Sequence, residues 1–157
     1  MSTKKDPDLS QIVHQLEPGA RLMGFDVGSK RLGVAISDGM LKIATPLETL
    51  KRSKFSADAQ KLIKLMDNHF VGALVFGLPL NMNGTEGPRA QSTRAFARNL
   101  AAHTSVPMCF WDERLSTAAV TRTLLEADIS RRRRREVVDK MAASFILQGA
   151  LDYLSLN

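Results

Sequence analysis

The spacing of apolar positions changes several times along the chain, and each change marks an element. LMGFDV (22–27) is a short apolar run that stops at Gly28, a strand signal. Gly28, Ser29 and Lys30 read as a turn, and LGVAIS (32–37) as a second strand, so the two form a hairpin. Residues 43–50 form a weaker third strand, in which Pro46 requires an edge position or a bulge. Apolar residues at 55, 59, 62, 63, 65, 66 and 70 follow helical spacing. The continuous run ALVF (73–76) suits a strand buried on both faces, and it stops at Gly77, Leu78 and Pro79. Residues 81–88 are loop by composition, 89–103 a second helix, and 106–111 another buried strand. Ser116 and Thr117 are candidate caps for a helix to about residue 127, and 136–154 is a last helix, apolar on most sides.

A meander followed by alternating helices and strands predicts an α/β fold. Its sheet is mixed, three antiparallel strands plus two parallel ones, with helices on both faces. Residues 1–19 are polar and read as an N-terminal extension with a short helical piece at 9–16; residues 20–157 form one domain.

Composition narrows the class. The apolar fraction of 44% suits a globular protein, and the single cysteine, Cys109, leaves no internal disulfide and reads as a buried inert thiol. No run approaches the ~18 apolar residues of a membrane span. The basic start lacks an apolar run behind it, so no signal peptide is expected and the cytoplasm is the expected compartment. Lysine and arginine number 22 against 16 acids, a net charge of +6 that favours polyanionic partners such as nucleic acid. Five of these cations are consecutive, Arg131, Arg132, Arg133, Arg134 and Arg135. Such a run is either a solvated face or, beside an acidic site, a surface that steers phosphate.

Three acidic positions carry candidate chemistry. Alternate strand residues share a face, so Leu22, Gly24 and Asp26 lie together, with Asp26 at the end of the strand. Ligand sites in open α/β sheets gather at such ends; the plain alternative is an Asp bracing the turn. Asp112 and Glu113 are adjacent, so only one can share a face with Asp26, and spacing does not choose between them. On the last helix, Ala142, Ala143 and Ile146 follow Asp139 at three, four and seven residues, so Asp139 heads a small apolar stripe turned toward the protein. Converging carboxylates suit Mg²⁺ or Mn²⁺, hard cations that prefer oxygen ligands, and two such ions about 4 Å apart assist phosphodiester cleavage. His14, His69 and His103 form no ligand-like pair, so zinc is unsupported.

Four segments carry a resemblance: DVGSKRLGVA (26–35), GLPLNMNGTEGPR (77–89), WDERLST (111–117), and VDKMAA (138–143) followed by ILQ (146–148). In this order the chain resembles the YqgF (RuvX) family, whose members are described as Holliday junction resolvases and as pre-16S ribosomal RNA processing nucleases. The resemblance implies a ribonuclease H-like fold and a divalent-metal-dependent nuclease. Its acids map onto Asp26, Glu113 and Asp139, as catalytic residues and as ligands of Mg²⁺ or Mn²⁺. Unlike ribonuclease H proper, the strand ending at Gly77, Leu78 and Pro79 offers no carboxylate.

Around the acids, Lys30, Arg31, Asn81, Arg114, Arg131, Arg132 and Arg133 are candidate substrate contacts. Structured RNA is the preferred partner and branched DNA the alternative, with the protein a monomer or weak homodimer and no membrane contact. Two other readings compete. The D-x-G-x-K pattern also resembles the first phosphate loop of actin-like kinases and chaperones, but those need a second, related domain that 157 residues without a repeat do not supply. A non-catalytic RNA-binding assembly factor on the same fold is the other.

Overall fold

The computed structural model describes residues 6–115 and 131–156, with the side chains of residues 115 and 131–140 excepted. Five strands form one sheet: β1 (Arg21–Val27), β2 (Arg31–Ser37), β3 (Ala44–Lys51), β4 (Val71–Leu78) and β5 (Met108–Asp112). Their order is β3-β2-β1-β4-β5. β1, β2 and β3 pair antiparallel, while β4 runs parallel to both β1 and β5. This is the mixed sheet expected from the meander and the later crossovers.

Each face has its own core. Met23, Phe25, Val27, Leu32, Val34, Leu74 and Phe76 point to one side. There they meet α2 (Phe55–Asn68) and α3 (Pro88–Ala101). Phe25 and Phe76 stack at 4.8 Å between ring centroids. The alternate residues Leu22, Ala35, Ala73, Val75, Cys109 and Trp111 point to the other side. That side is covered by α4 (Arg131–Ser155) through Ala143, Ile146, Leu147, Ala150 and Leu151. Leu9 and Ile12 of α1 (Leu9–His14) are buried in the same core.

Gly24 lets α4 approach the sheet. A Cβ on Gly24 would lie 2.8 Å from the Cβ of Leu147, so only glycine fits beneath the helix there. The helix is also pinned at its far end. Gln148 Oε1 accepts from the Ala44 amide at 2.8 Å, and its Nε2 donates to the Lys42 carbonyl at 3.0 Å. Around Gln148, α4 therefore lies over the start of β3, and around Ala143 and Leu147 over Gly24 of β1.

Two expectations need adjustment, while the edge position or bulge that Pro46 required is present. The last helix begins at Arg131 rather than 136, so the five arginines occupy its first turns. β5 is an edge strand with alternating burial, not a strand buried on both faces. The third strand is an edge too, and its pairing with β2 shifts between Glu48 and Pro46. The proline's missing N–H is tolerated at that irregularity. The expected helix after Ser116 and Thr117 lies outside the described residues.

Candidate active site

Asp26 is the penultimate residue of β1 and half-buried. It shares a strand face with Leu22 and Gly24, so its carboxylate is on the α4 side of the sheet. The turn that follows is braced from within. The Gly28 amide donates to the Arg31 carbonyl at 2.9 Å, and Arg52 Nη1 donates to the Gly28 carbonyl at 2.7 Å. The Arg52 guanidinium also lies 5.3 Å from the Phe96 ring centroid, a cation–π contact that fixes it below the turn.

The strand face chooses between Asp112 and Glu113. Cys109 and Trp111 face α4, so Glu113 continues that side while Asp112 turns to the other. Glu113 opens a short 3-10 turn, Glu113–Leu115, immediately after β5. Its Oε1 lies 2.8 Å from the position a Cβ on Gly77 would take. Phe25 pairs with Phe76, which sets Asp26 beside Gly77 on the neighbouring strand. The Glu113 carboxylate therefore lies over the strand adjacent to Asp26, about one strand spacing of 4.8 Å away. The glycine that ends β4 is what admits the acid from β5.

Asp112 has a different task. Its Oδ1 accepts from the Arg114 amide at 3.0 Å, and its Oδ2 from Arg114 Nη2 at 2.8 Å. The Arg114 guanidinium is the main reason the Asp112 carboxyl is held below its ordinary range. Arg114 Nη1 reaches on to the carbonyls of Asn81 and Met82, at 3.2 and 3.1 Å. Arg114 thus ties the loop after β4 to the end of β5, and most of its donors are spent on that.

Asn81 is likewise bound within the loop. Its Nδ2 donates to Thr85 Oγ1 at 2.9 Å and its amide to the Thr85 carbonyl at 2.9 Å. A second arginine holds the loop's other end. Arg94 pairs with Glu86 and with Asp6 and lies 4.6 Å from the Phe110 ring centroid. Sequence reasoning passed over Arg94 and Arg52, because neither belongs to a motif and their partners are far along the chain.

Asp139 belongs to α4, four residues before Ala143, whose carbonyl lies against Gly24. Asp139 stands about 6 Å, one helical turn, before Ala143 along the helix. Asp26 and Glu113 are brought to one end and one face of the sheet. The side chains of Asp139, Arg131, Arg132 and Arg133 lie outside the description. Among the described residues no cluster of three or more His, Cys, Asp or Glu is placed to hold a metal. Lys30 and Arg31 stand exposed at the β1–β2 turn on the same end. No helix among the described residues is long and apolar enough to cross a membrane.

Fold and comparison agree on the class, a nuclease with a ribonuclease H-like sheet. Residues 20–153 match RuvX, described as Holliday junction resolvase, and the chain belongs to that family. A relative from Methylocella silvestris, provisionally named a pre-16S rRNA nuclease, is 56% identical over 147 residues, covering 94% of this chain and 91% of the relative. One from Paracoccus denitrificans with the same name is 60% identical over 131 residues, 83% of each chain. Among solved structures, Thermus thermophilus RuvC in complex with a Holliday junction substrate superposes with a TM-score of 0.54. Its identity is 14%, covering 88% of this chain and 96% of that one, a likeness of fold.

Proposed function

We propose that the protein is a divalent-metal-dependent nuclease that matures the precursor of 16S ribosomal RNA, with Asp26, Glu113 and Asp139 as its catalytic and metal-holding acids. The observation that carries the reading is the seating of Glu113 over Gly77, beside Asp26. That seating puts two carboxylates side by side at the end of the sheet. An all-oxygen donor set fits Mg²⁺ or Mn²⁺ and disfavours softer metals. Such ions, when bound, activate water and stabilise charge on the leaving oxygen. The chain's own part is to hold one carboxylate on β1, one at the turn that ends β5 and a third on the helix that covers them. Lys30 and Arg31 then supply positive charge where a phosphate would approach, and Arg131, Arg132 and Arg133 extend it along α4.

The names of the close relatives favour RNA, and a cytoplasmic location goes with that substrate. The family's description favours a four-way DNA junction as the alternative. Pre-16S RNA ends and a four-way DNA junction, offered side by side with Mg²⁺ or Mn²⁺, separate the two. Metal-dependent trimming of the RNA that is lost in Asp26→Asn supports the proposal. Cutting of the junction alone moves the substrate to DNA. Binding of both without cutting turns the protein into a non-catalytic assembly factor and ends the nuclease reading.

A further inference from the structure

The N-terminal segment is fastened on both sides of the sheet. Leu9 and Ile12 are buried in the core under α4. Asp6, just before them, binds Arg94 of α3 on the other face. β5 is the edge strand between the two, so residues 6–9 cross its open side. The charges of Asp6 and Asp8 are accordingly felt at Cys109 in β5.

The Asp6 contact is a fork. Arg94 Nη1 donates to Asp6 Oδ1 at 3.1 Å and Nη2 to Oδ2 at 3.0 Å. The third edge of the guanidinium, Nε, donates to Glu86 Oε1. The cation also rests 4.6 Å from the Phe110 ring centroid. One planar group thus joins two carboxylates and is backed by a ring, which the point charge of a lysine could not do.

Glu86 belongs to the loop at residues 81–87, whose residues 81–86 are exposed. Asn81 Nδ2 and Asn83 Oδ1 both bond Thr85, so the loop closes on itself. Arg114, next to Glu113 in the chain, holds its near side through the carbonyls of Asn81 and Met82. Arg94 holds its far side through Glu86, and Asp6 holds Arg94.

We infer that Asp6 is a positioning residue for nucleic-acid binding: through Arg94 and Glu86 it sets the loop at residues 81–87 against the strand that enters the acidic site. The N-terminal segment is then part of the binding surface without touching substrate. This rests on the nucleic-acid reading above. The acids stand on β1, at the end of β5 and on α4, none on the loop, so Asp6 acts on affinity and leaves the chemistry alone.

The test is the affinity of the full chain for an RNA duplex with a single-stranded overhang, measured in chelator. Asp6→Asn adds one unit of positive charge to a chain already at +6, which by itself tightens binding to a polyanion. Positioning requires the reverse, a loss of about 2- to 5-fold, the scale of a partly exposed ion pair. Asp6→Glu, which restores the carboxylate, should restore affinity. Glu86→Gln should also weaken binding, and Asp6→Asn added to it should cost nothing more, because the link is already cut. Unchanged or tighter binding by Asp6→Asn overturns the positioning role, whatever its melting temperature. Losses that add in the double variant overturn the route through Glu86. Weaker binding by Asp6→Asn in a protein that never cuts when metal is supplied sinks the nuclease reading and leaves Asp6 in its role; cutting with unchanged affinity in Asp6→Asn sinks that role alone.

Discussion

Glu113 occupies space that Gly77 leaves open: its Oε1 is 2.8 Å from where a Cβ on Gly77 would be, and Ile146 Cδ1 is 2.5 Å from the same point. Any side chain at position 77 must displace the carboxylate, the helix residue or both. Gly77→Ala should therefore cost about 1–3 kcal/mol of stability, as overpacking does. It should also lower cleavage well beyond what the stability loss explains. Thermal melting and cleavage rate, measured on the same preparation at a temperature where the variant stays folded, separate the two effects. A variant that melts normally and cuts normally contradicts the placement of Glu113.

Asp26→Asn keeps size and shape and removes a charge at a half-buried position. Its melting temperature should stay near wild type while cleavage falls by more than about 100-fold, the upper range for residues that only support metal ligands. Mn²⁺ binding by calorimetry should weaken in parallel. Full activity with unchanged Mn²⁺ affinity would remove Asp26 from the site.

The Asp112–Arg114 pair has a pH signature. The folded-state pKa of Asp112 is lowered, first by the Arg114 side chain, from an ordinary 3.8. Its stabilisation is then fully present above that value and is lost as pH falls through the lower folded-state value. Arg114 is exposed and Asp112 only half-buried, so screening by solvent keeps this stabilisation small. The difference in melting temperature between wild type and Asp112→Asn should be small near neutrality and vanish in strong acid. Arg114→Ala should also free the loop at residues 81–87, seen as faster amide exchange there.

Burial pushes the Cys109 thiol up to about 12 from 9.0. The thiolate is the reactive form, so iodoacetamide should leave the native protein unlabelled at neutral pH and label it at once in denaturant. Because the native state resists ionisation, stability should decline as pH climbs from about 9 toward 12. Rapid labelling of the folded protein would show that β5 opens readily.

Much of this architecture was legible in the chain. The apolar runs of β1, β2 and β4 are continuous because both faces of the inner sheet are covered. Pro46 announced an irregular edge. The choice between Asp112 and Glu113 rested on resemblance until the strand faces were known, since parity needs a reference residue on the same sheet. What escaped was held by distant partners: Arg94 with Asp6, Arg52 with Gly28, and Arg114 with the carbonyls of Asn81 and Met82. Backbone carbonyls carry no sequence signal, so an arginine that binds them looks like any surface cation. The start of the last helix was misjudged for a related reason. Five arginines lack the apolar spacing that marks a helix, although arginine itself is a good helix former.

The covering helix makes one face of the sheet depend on long-range order. α4 follows all five strands in the chain, and it packs over both Gly24 and Gly77. A partly folded chain in which the strands have paired but the helix has not docked therefore leaves the face that bears Asp26 and Glu113 open to water.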